Sequence, residues 1–395
     1  MNTVRANIKP ALLTWARESL GFSLAGAAKR LNVAEDRLKS WEVGEERPTI
    51  NQLRKMTEVY KRPLAVFFLP EPPKGFQVMK DFRRMPGTIA GLYSPQLLLE
   101  VRRAQERRQL ALDLLAEIDE KPKPFTLKTE LTDDPEQISA RIRKALGILY
   151  EHQISWRDER AGFNSWRSMI EAVGVLVFQA THVDVGEMRS FCLAESEQPV
   201  IVINRKDFPS ARAFSLLHEF VHLMLRLSGL CDIEEVDDRP PEEQRVEIFC
   251  NRVAAATLMP RDRLLSEDLV ITHGVQSIAW TYDEIQELAK RYSVSRESLV
   301  RRLLTLGRTT DDFYRKIRAE LLAEIQMLKE RKKQQAEELE YRRNPPREAI
   351  SDLGRPFVGL VMMNYYQDRL TLSEVSEHLG VRVRHVPRVQ EFMGP

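Results

Sequence analysis

Hydrophobic positions recur at helical spacing through most of this 395-residue chain. Residues 95–119 read as one helix, with proline in the first turn and apolar side chains at 98, 101, 104, 111, 114, 115 and 118. Segments 211–229 and 242–260 follow the same period, one closed by glycine and the other by proline. Residues 282–307 read as two helices around a turn near Tyr292 and Ser293. The runs 174–180, 188–196 and 199–205 are too short and too β-prone for helices and predict three strands. In 311–343 a highly charged helix carries the stripe Phe313, Ile317, Leu321, Ile325 and Leu328. That stripe fits either a coiled-coil seam between two copies or a surface helix packed on its own domain. A small helical tail follows over 356–395.

Prolines punctuate this pattern at 62–76 and 120–125. They divide the chain into a helical module (1–70), a linker with a long helix (71–134), a mixed domain (135–308) and a helical C-terminal region (309–395). The fold class expected is therefore α+β and mostly helical, with one small sheet.

Composition narrows the class. Apolar residues at 43% and charged residues at 30% describe a folded, well-solvated protein rather than a disordered one. No run approaches the roughly 18 apolar residues of a spanning helix, so no membrane partner is expected. The first residues lack the apolar core of a secretory signal, and three scattered cysteines point to a reducing cytoplasm. The net charge of +2 leaves any nucleic-acid contact to local patches.

One such patch is the first module. Ser23 can cap a helix whose Leu24, Ala27, Ala28 and Leu31 face inward, Asn32 suits a left-handed turn, and Val33, Leu38 and Trp41 place a second helix on the same core. This is helix-turn-helix spacing, with the second helix at about 34–43. Trp41, Glu42, Gly44, Pro48 and Thr49 extend a resemblance to the Cro/repressor-like (XRE) class. Twelve basic residues face seven acidic ones over 1–70, a bias suited to phosphate. Arg37, Lys39 and Ser40 are the candidate DNA contacts, although Glu35 and Asp36 open the same helix. Protein docking or dimerisation is the competing use of the module.

The strongest chemical signal is His218-Glu219-Phe220-Val221-His222. On a helix, residues four apart share a face, so both imidazoles can reach one metal while Glu219 lies beside them. A catalytic metal site needs a third protein ligand and an open position. Glu247, 25 residues after His222, is the preferred candidate. Glu234, Glu235, Asp237, Glu242 and Glu243 compete with it. Asn251, one turn beyond Glu247, can hydrogen-bond a ligating histidine and fix its ring.

HEFVHLML followed by EIFCNRVAAATLMP resembles the ImmA/IrrE metallopeptidases, where H-E-x-x-H precedes E-x-x-x-N-x-F-A-A-x-x-L-M-P. Val253 and Cys250 depart from the usual Phe and Ala. The order of XRE module, Asp81-Phe82-Arg83 element, zincin-like domain and second helix-turn-helix-like piece (282–307) is similar too. The resemblance implies a gluzincin-like domain in which His218, His222 and Glu247 bind one zinc ion, or manganese, and Glu219 is the general base. It also implies a regulator that cleaves a repressor-type or other protein partner. The alternative is an antitoxin-like DNA-binding repressor that holds a toxin or other partner without cutting it.

Overall fold

The computed structural model describes residues 5–73, 93–231, 241–336 and 344–394. Two compact units divide it, Met1–Gln105 and Glu106–Pro395. The Asp81-Phe82-Arg83 element and the acidic residues Glu234, Glu235 and Asp237 lie outside the described residues.

The first unit is helical: α1 (Pro10–Glu18), α2 (Leu24–Leu31), α3 (Glu35–Val43) and α4 (Ile50–Tyr60), a 3-10 turn at Leu64–Phe68, and the opening turns of α5 (Pro95–Glu117). Ser23 caps α2 by accepting from the Gly26 N–H at 3.1 Å. Asn32 adopts a left-handed φ of 58°, which turns the chain so that α3 crosses α2 over Ala27, Ala28, Leu38 and Trp41, all buried in one core. Glu42 follows the buried Trp41, and its carboxylate accepts from Arg17 Nε at 2.8 Å and Nη2 at 2.9 Å. This two-point contact ties α3 back to α1.

In the second unit α6 (Pro135–Ala145), α7 (Tyr150–Ile154) and α8 (Glu159–Ala172) precede β1 (Leu176–Ala180), β2 (Ser190–Leu193) and β3 (Val200–Asn204). Then come α9 (Pro209–Leu225), β4 (Gly229–Cys231) and α10 (Pro241–Leu258). The short α11 (Arg261–Leu265) and α12 (Asp268–His273) lead to α13 (Tyr282–Tyr292), α14 (Arg296–Thr305) and α15 (Asp311–Ala336). Four helices close the chain: α16 (Pro345–Leu353), α17 (Arg355–Tyr366), α18 (Leu372–Leu379) and α19 (Val386–Met393). Among the described residues no helix is long and apolar enough to cross a membrane.

The sheet has the order β1-β3-β2-β4, with β1 parallel to β3 and the other pairs antiparallel. Three strands were expected, and the fourth corrects the reading of 211–229 as one helix. Arg226 takes a left-handed φ of 59°, and the Leu227 N–H bonds back to the His222 carbonyl at 3.0 Å. The helix stops there, and 229–231 pair with β2 instead.

Every residue of β1, β2 and β3 is buried, as expected when both faces of a sheet are covered. Val175, Val177, Cys192, Ile201 and Ile203 join the core beneath α9. On β1, Phe178 meets Phe357 of α17 edge-to-face, ring centres 5.5 Å apart. The tail is thus part of the sheet's packing. It starts earlier than the hydrophobic pattern suggests, because Pro345 and Pro346 occupy the first turn of α16 behind an Asn344 cap. Phe313 and Ile317 of α15 pack on the main core and Leu321 is buried, so the first half of that helix is a surface helix on its own domain.

Gln153 holds several helix ends together. Its amide donates to the carbonyls of Leu258 (2.8 Å) and Tyr292 (3.1 Å), and its oxygen accepts from Arg143 (2.7 Å), which also bonds the Thr257 carbonyl at 2.8 Å. These are carbonyls at helix C-termini that have no partner within their helices. Replacing Gln153 with Leu keeps the bulk and strands those groups in the interior. Urea unfolding of the full chain should show a loss of about 2–4 kcal/mol; a loss below about 0.5 kcal/mol would contradict this role.

Candidate metal centre

Helix α9 begins with Pro209 at its first position and is packed on both sides, by the sheet and by α8 and α10. Its apolar residues Leu216, Leu217, Phe220, Val221 and Leu223 fill the surrounding core. That leaves His218, Glu219 and His222 buried on the side towards α10 and β2, at 0%, 0% and 4% exposure. Burial of three polar side chains on one helix is costly unless each has a partner.

The partners come from two directions. From α10, Glu247 is 4% exposed and places its carboxylate 3.2 Å from His218 Nε2 and 3.4 Å from His222 Nε2. The two Nε2 atoms are 3.0 Å apart. His218 Nδ1 lies 3.0 Å from Asn251 Oδ1. If Nδ1 carries the proton donated to that oxygen, the Nε2 lone pair is left facing the shared space. From β2, Ser190 Oγ donates to Glu219 Oε1 at 2.6 Å. The other oxygen, Glu219 Oε2, is buried with no hydrogen-bond partner among the described residues.

The arrangement can be tested against what a cation would require. Nitrogen and oxygen ligands at about 2.0–2.1 Å in a tetrahedron stand roughly 3.3–3.4 Å from one another. The separations of 3.0, 3.2 and 3.4 Å fall close to that spacing. Two imidazoles and one carboxylate also form a donor set suited to a borderline cation. Among the described residues this trio is a group whose ligand atoms all lie within 4.8 Å of one another. The residues fit a metal.

Charges in this pocket act on their neighbours. Burial raises the Glu247 carboxyl, but hydrogen bonds and charge attraction from His218 and His222 outweigh it and hold the group well below the usual carboxylate range. Burial, with the charges of Glu247 and Glu219, pushes the Cys250 thiol well above its ordinary value. Cys250 is fully buried and serves as an apolar packing residue.

Of the competing carboxylates on α10, Glu242 and Glu243 sit in its first turn and do not join the cluster. Ser190 was not foreseen. It lies 29 residues before Glu219, and only the register of β2 between β3 and β4, Ser190 opposite Ile203 and Cys231, brings it there. In the first unit Arg37 and Lys39 are exposed on α3. The Arg37 guanidinium lies 5.9 Å above the Trp41 ring, and Ser40 spends its hydroxyl on the Arg37 carbonyl at 2.8 Å.

Comparison with known proteins agrees with both regions. Residues 170–304 match the model of the IrrE N-terminal-like domain of the peptidase M78 family, and residues 13–67 match a helix-turn-helix model. The radiation response metalloprotease IrrE of Deinococcus radiodurans is 35% identical over 106 residues, 26% of this chain and 30% of that protein. Its counterpart from Deinococcus deserti is also 35% identical over 106 residues, 26% of this chain and 35% of the relative. The match spans about a third of the length of these curated relatives. Residues 170–304 are thus similar to an IrrE-like domain of the peptidase M78 family, and the preceding residues 13–67 to a helix-turn-helix domain.

Proposed function

We propose that this protein is a zinc-dependent endopeptidase that acts as a regulator, binding DNA through its first module and cleaving a partner protein in the cytoplasm. The observation that carries this reading is the buried meeting of His218, His222 and Glu247 beside a Glu219 oxygen without a partner. His218, His222 and Glu247 would hold the ion, with Asn251 fixing the His218 ring. Zinc bound there supplies Lewis acidity, which polarises a carbonyl and lowers the pKa of water.

The remaining work falls to the chain's own residues. Ser190 holds Glu219 by Oε1, so Oε2 is the atom that takes the proton from the attacking water and passes it to the departing amine. Burial of the helix face keeps that carboxylate out of bulk solvent, so its charge acts at longer range than it would in water. The first module contributes exposed Arg37 and Lys39 for phosphate or base contacts.

Four outcomes are expected. Elemental analysis of the purified protein should give about one zinc per chain, and His218→Ala or His222→Ala should remove it; a fully loaded double variant would refute the ligand assignment. Glu219→Gln should keep the metal and the fold but slow cleavage of the target by about a hundredfold or more. The target can be sought among products of neighbouring genes, and undiminished cleavage by that variant would end the role of Glu219 as base. Ser190→Ala should retain zinc and lower kcat by about fivefold to fiftyfold, the equivalent of one positioning hydrogen bond near 1–2.5 kcal/mol, with KM little changed. For the DNA module, Arg37→Ala with Lys39→Ala should weaken duplex binding and flatten its salt dependence, as read by fluorescence anisotropy. Equal binding by the double variant would place the contacts elsewhere.

A further inference from the structure

Beside the His218 ring runs a cleft of about 340 Å³. Phe214 of α9 and Asn251 of α10 line it, and both touch His218: the phenyl stacks on the imidazole with centres 6.5 Å apart, and the amide oxygen lies 3.0 Å from Nδ1. The opposite wall is α14 and its cap, which present Ser295, Ser298, Arg301, Arg302 and Thr305. These positions recur at three to four residues and so form one stripe on that helix. The other stripe of α14, Leu299, Val300 and Leu303, is buried in the main core. The helix that holds the recognition position in the 282–307 rhythm therefore faces this cleft.

Among the described residues, the cleft carries one unmatched positive charge. Arg189, Arg252, Arg301 and Arg302 line it against a single carboxylate, Glu297. Three of the four guanidiniums have carboxylate partners: Arg189 with Asp207 at 3.8 Å, Arg301 with Glu297 at 2.9 Å and Arg302 with Glu136 at 2.8 Å. Glu297 also accepts from the Tyr314 hydroxyl at 2.7 Å. Arg252 is exposed and makes no hydrogen bond or ion pair with a described residue. It directly follows Asn251, so the cation stands on the lip of the cleft next to the residue that orients His218.

We propose that this cleft is a substrate subsite for an acidic side chain, aspartate or glutamate, close in sequence to the scissile bond, with Arg252 as the specificity-determining residue. A guanidinium with no partner among the described residues can give a carboxylate two parallel hydrogen bonds, and the other three arginines of the cleft already have their charges matched. This rests on the peptidase reading of the metal centre, and the test is arranged so that the two can fail separately.

The probes are quenched fluorescent dodecapeptides of one neutral sequence carrying Glu, Gln or Lys at each position in turn. With the zinc-loaded full chain, at least one position should favour Glu over Gln by about tenfold or more in kcat/KM. Arg252→Ala should bring that ratio to about one, and Arg252→Glu should transfer the preference to Lys, each with zinc content unchanged. Cleavage without charge preference, or a preference that survives Arg252→Ala, would overturn the subsite. If the wild-type chain cuts none of the peptides, anisotropy with labelled peptides and the Glu219→Gln chain decides. Glu-dependent binding lost in Arg252→Ala upholds the subsite while the peptidase reading falls, whereas charge-indifferent binding removes the subsite.

Discussion

Two imidazole nitrogens and a carboxylate cannot share a buried space of this size without a cation or a proton between them, and the second unit is organised around that constraint. His218 Nε2 and His222 Nε2 are 3.0 Å apart, with the Glu247 carboxylate 3.2 and 3.4 Å away. Such proximity in a low-dielectric interior is unfavourable for bare lone pairs and favourable once a positive charge is present. Maintaining it requires a rigid frame. The sheet supports α9 from one side, α10 brings Glu247 and Asn251 from another, and the cluster of Gln153 and Arg143 fixes the end of α10. The C-terminal helices complete the frame by covering the other face of the sheet at Phe178.

The same frame decides what the second helix-turn-helix rhythm is for. Helices α13 and α14 put Ile285, Leu288, Tyr292, Leu299 and Leu303 into the core that holds α9. The polar side of α14 is the wall of the cleft beside His218. A helix used in this way has its outward face committed inside its own unit. The DNA binding proposed above therefore falls to the first unit, where Trp41 is buried and the Arg17–Glu42 contact sets α3 against α1, leaving Arg37 and Lys39 outward.

Local patterns make part of this legible in the sequence. Histidines four apart on a helix define a face by geometry alone, and Glu247 and Asn251, again four apart on a second helix, define the face that can meet it. The turn at Asn32 and the cap at Ser23 are likewise local features, and both occur as their residue types predict. Pairings across the chain were not legible. Ser190 reaches Glu219 through strand register, which short buried strands do not reveal in their composition. Strand β4 is only three residues long and follows a helix without a proline, so it read as helix. The covering role of the tail depends on packing between Phe178 and Phe357, residues far apart in sequence whose apolar character is compatible with many neighbours.

X-ray absorption at the zinc edge of the purified 395-residue chain tests the central claim most directly. The claim predicts a tetrahedral shell of nitrogen and oxygen at about 2.0–2.1 Å, with outer-shell scattering from two imidazoles that disappears together with bound zinc in His218→Ala. A sulfur-containing shell near 2.3 Å, or a shell without imidazole scattering, would contradict it.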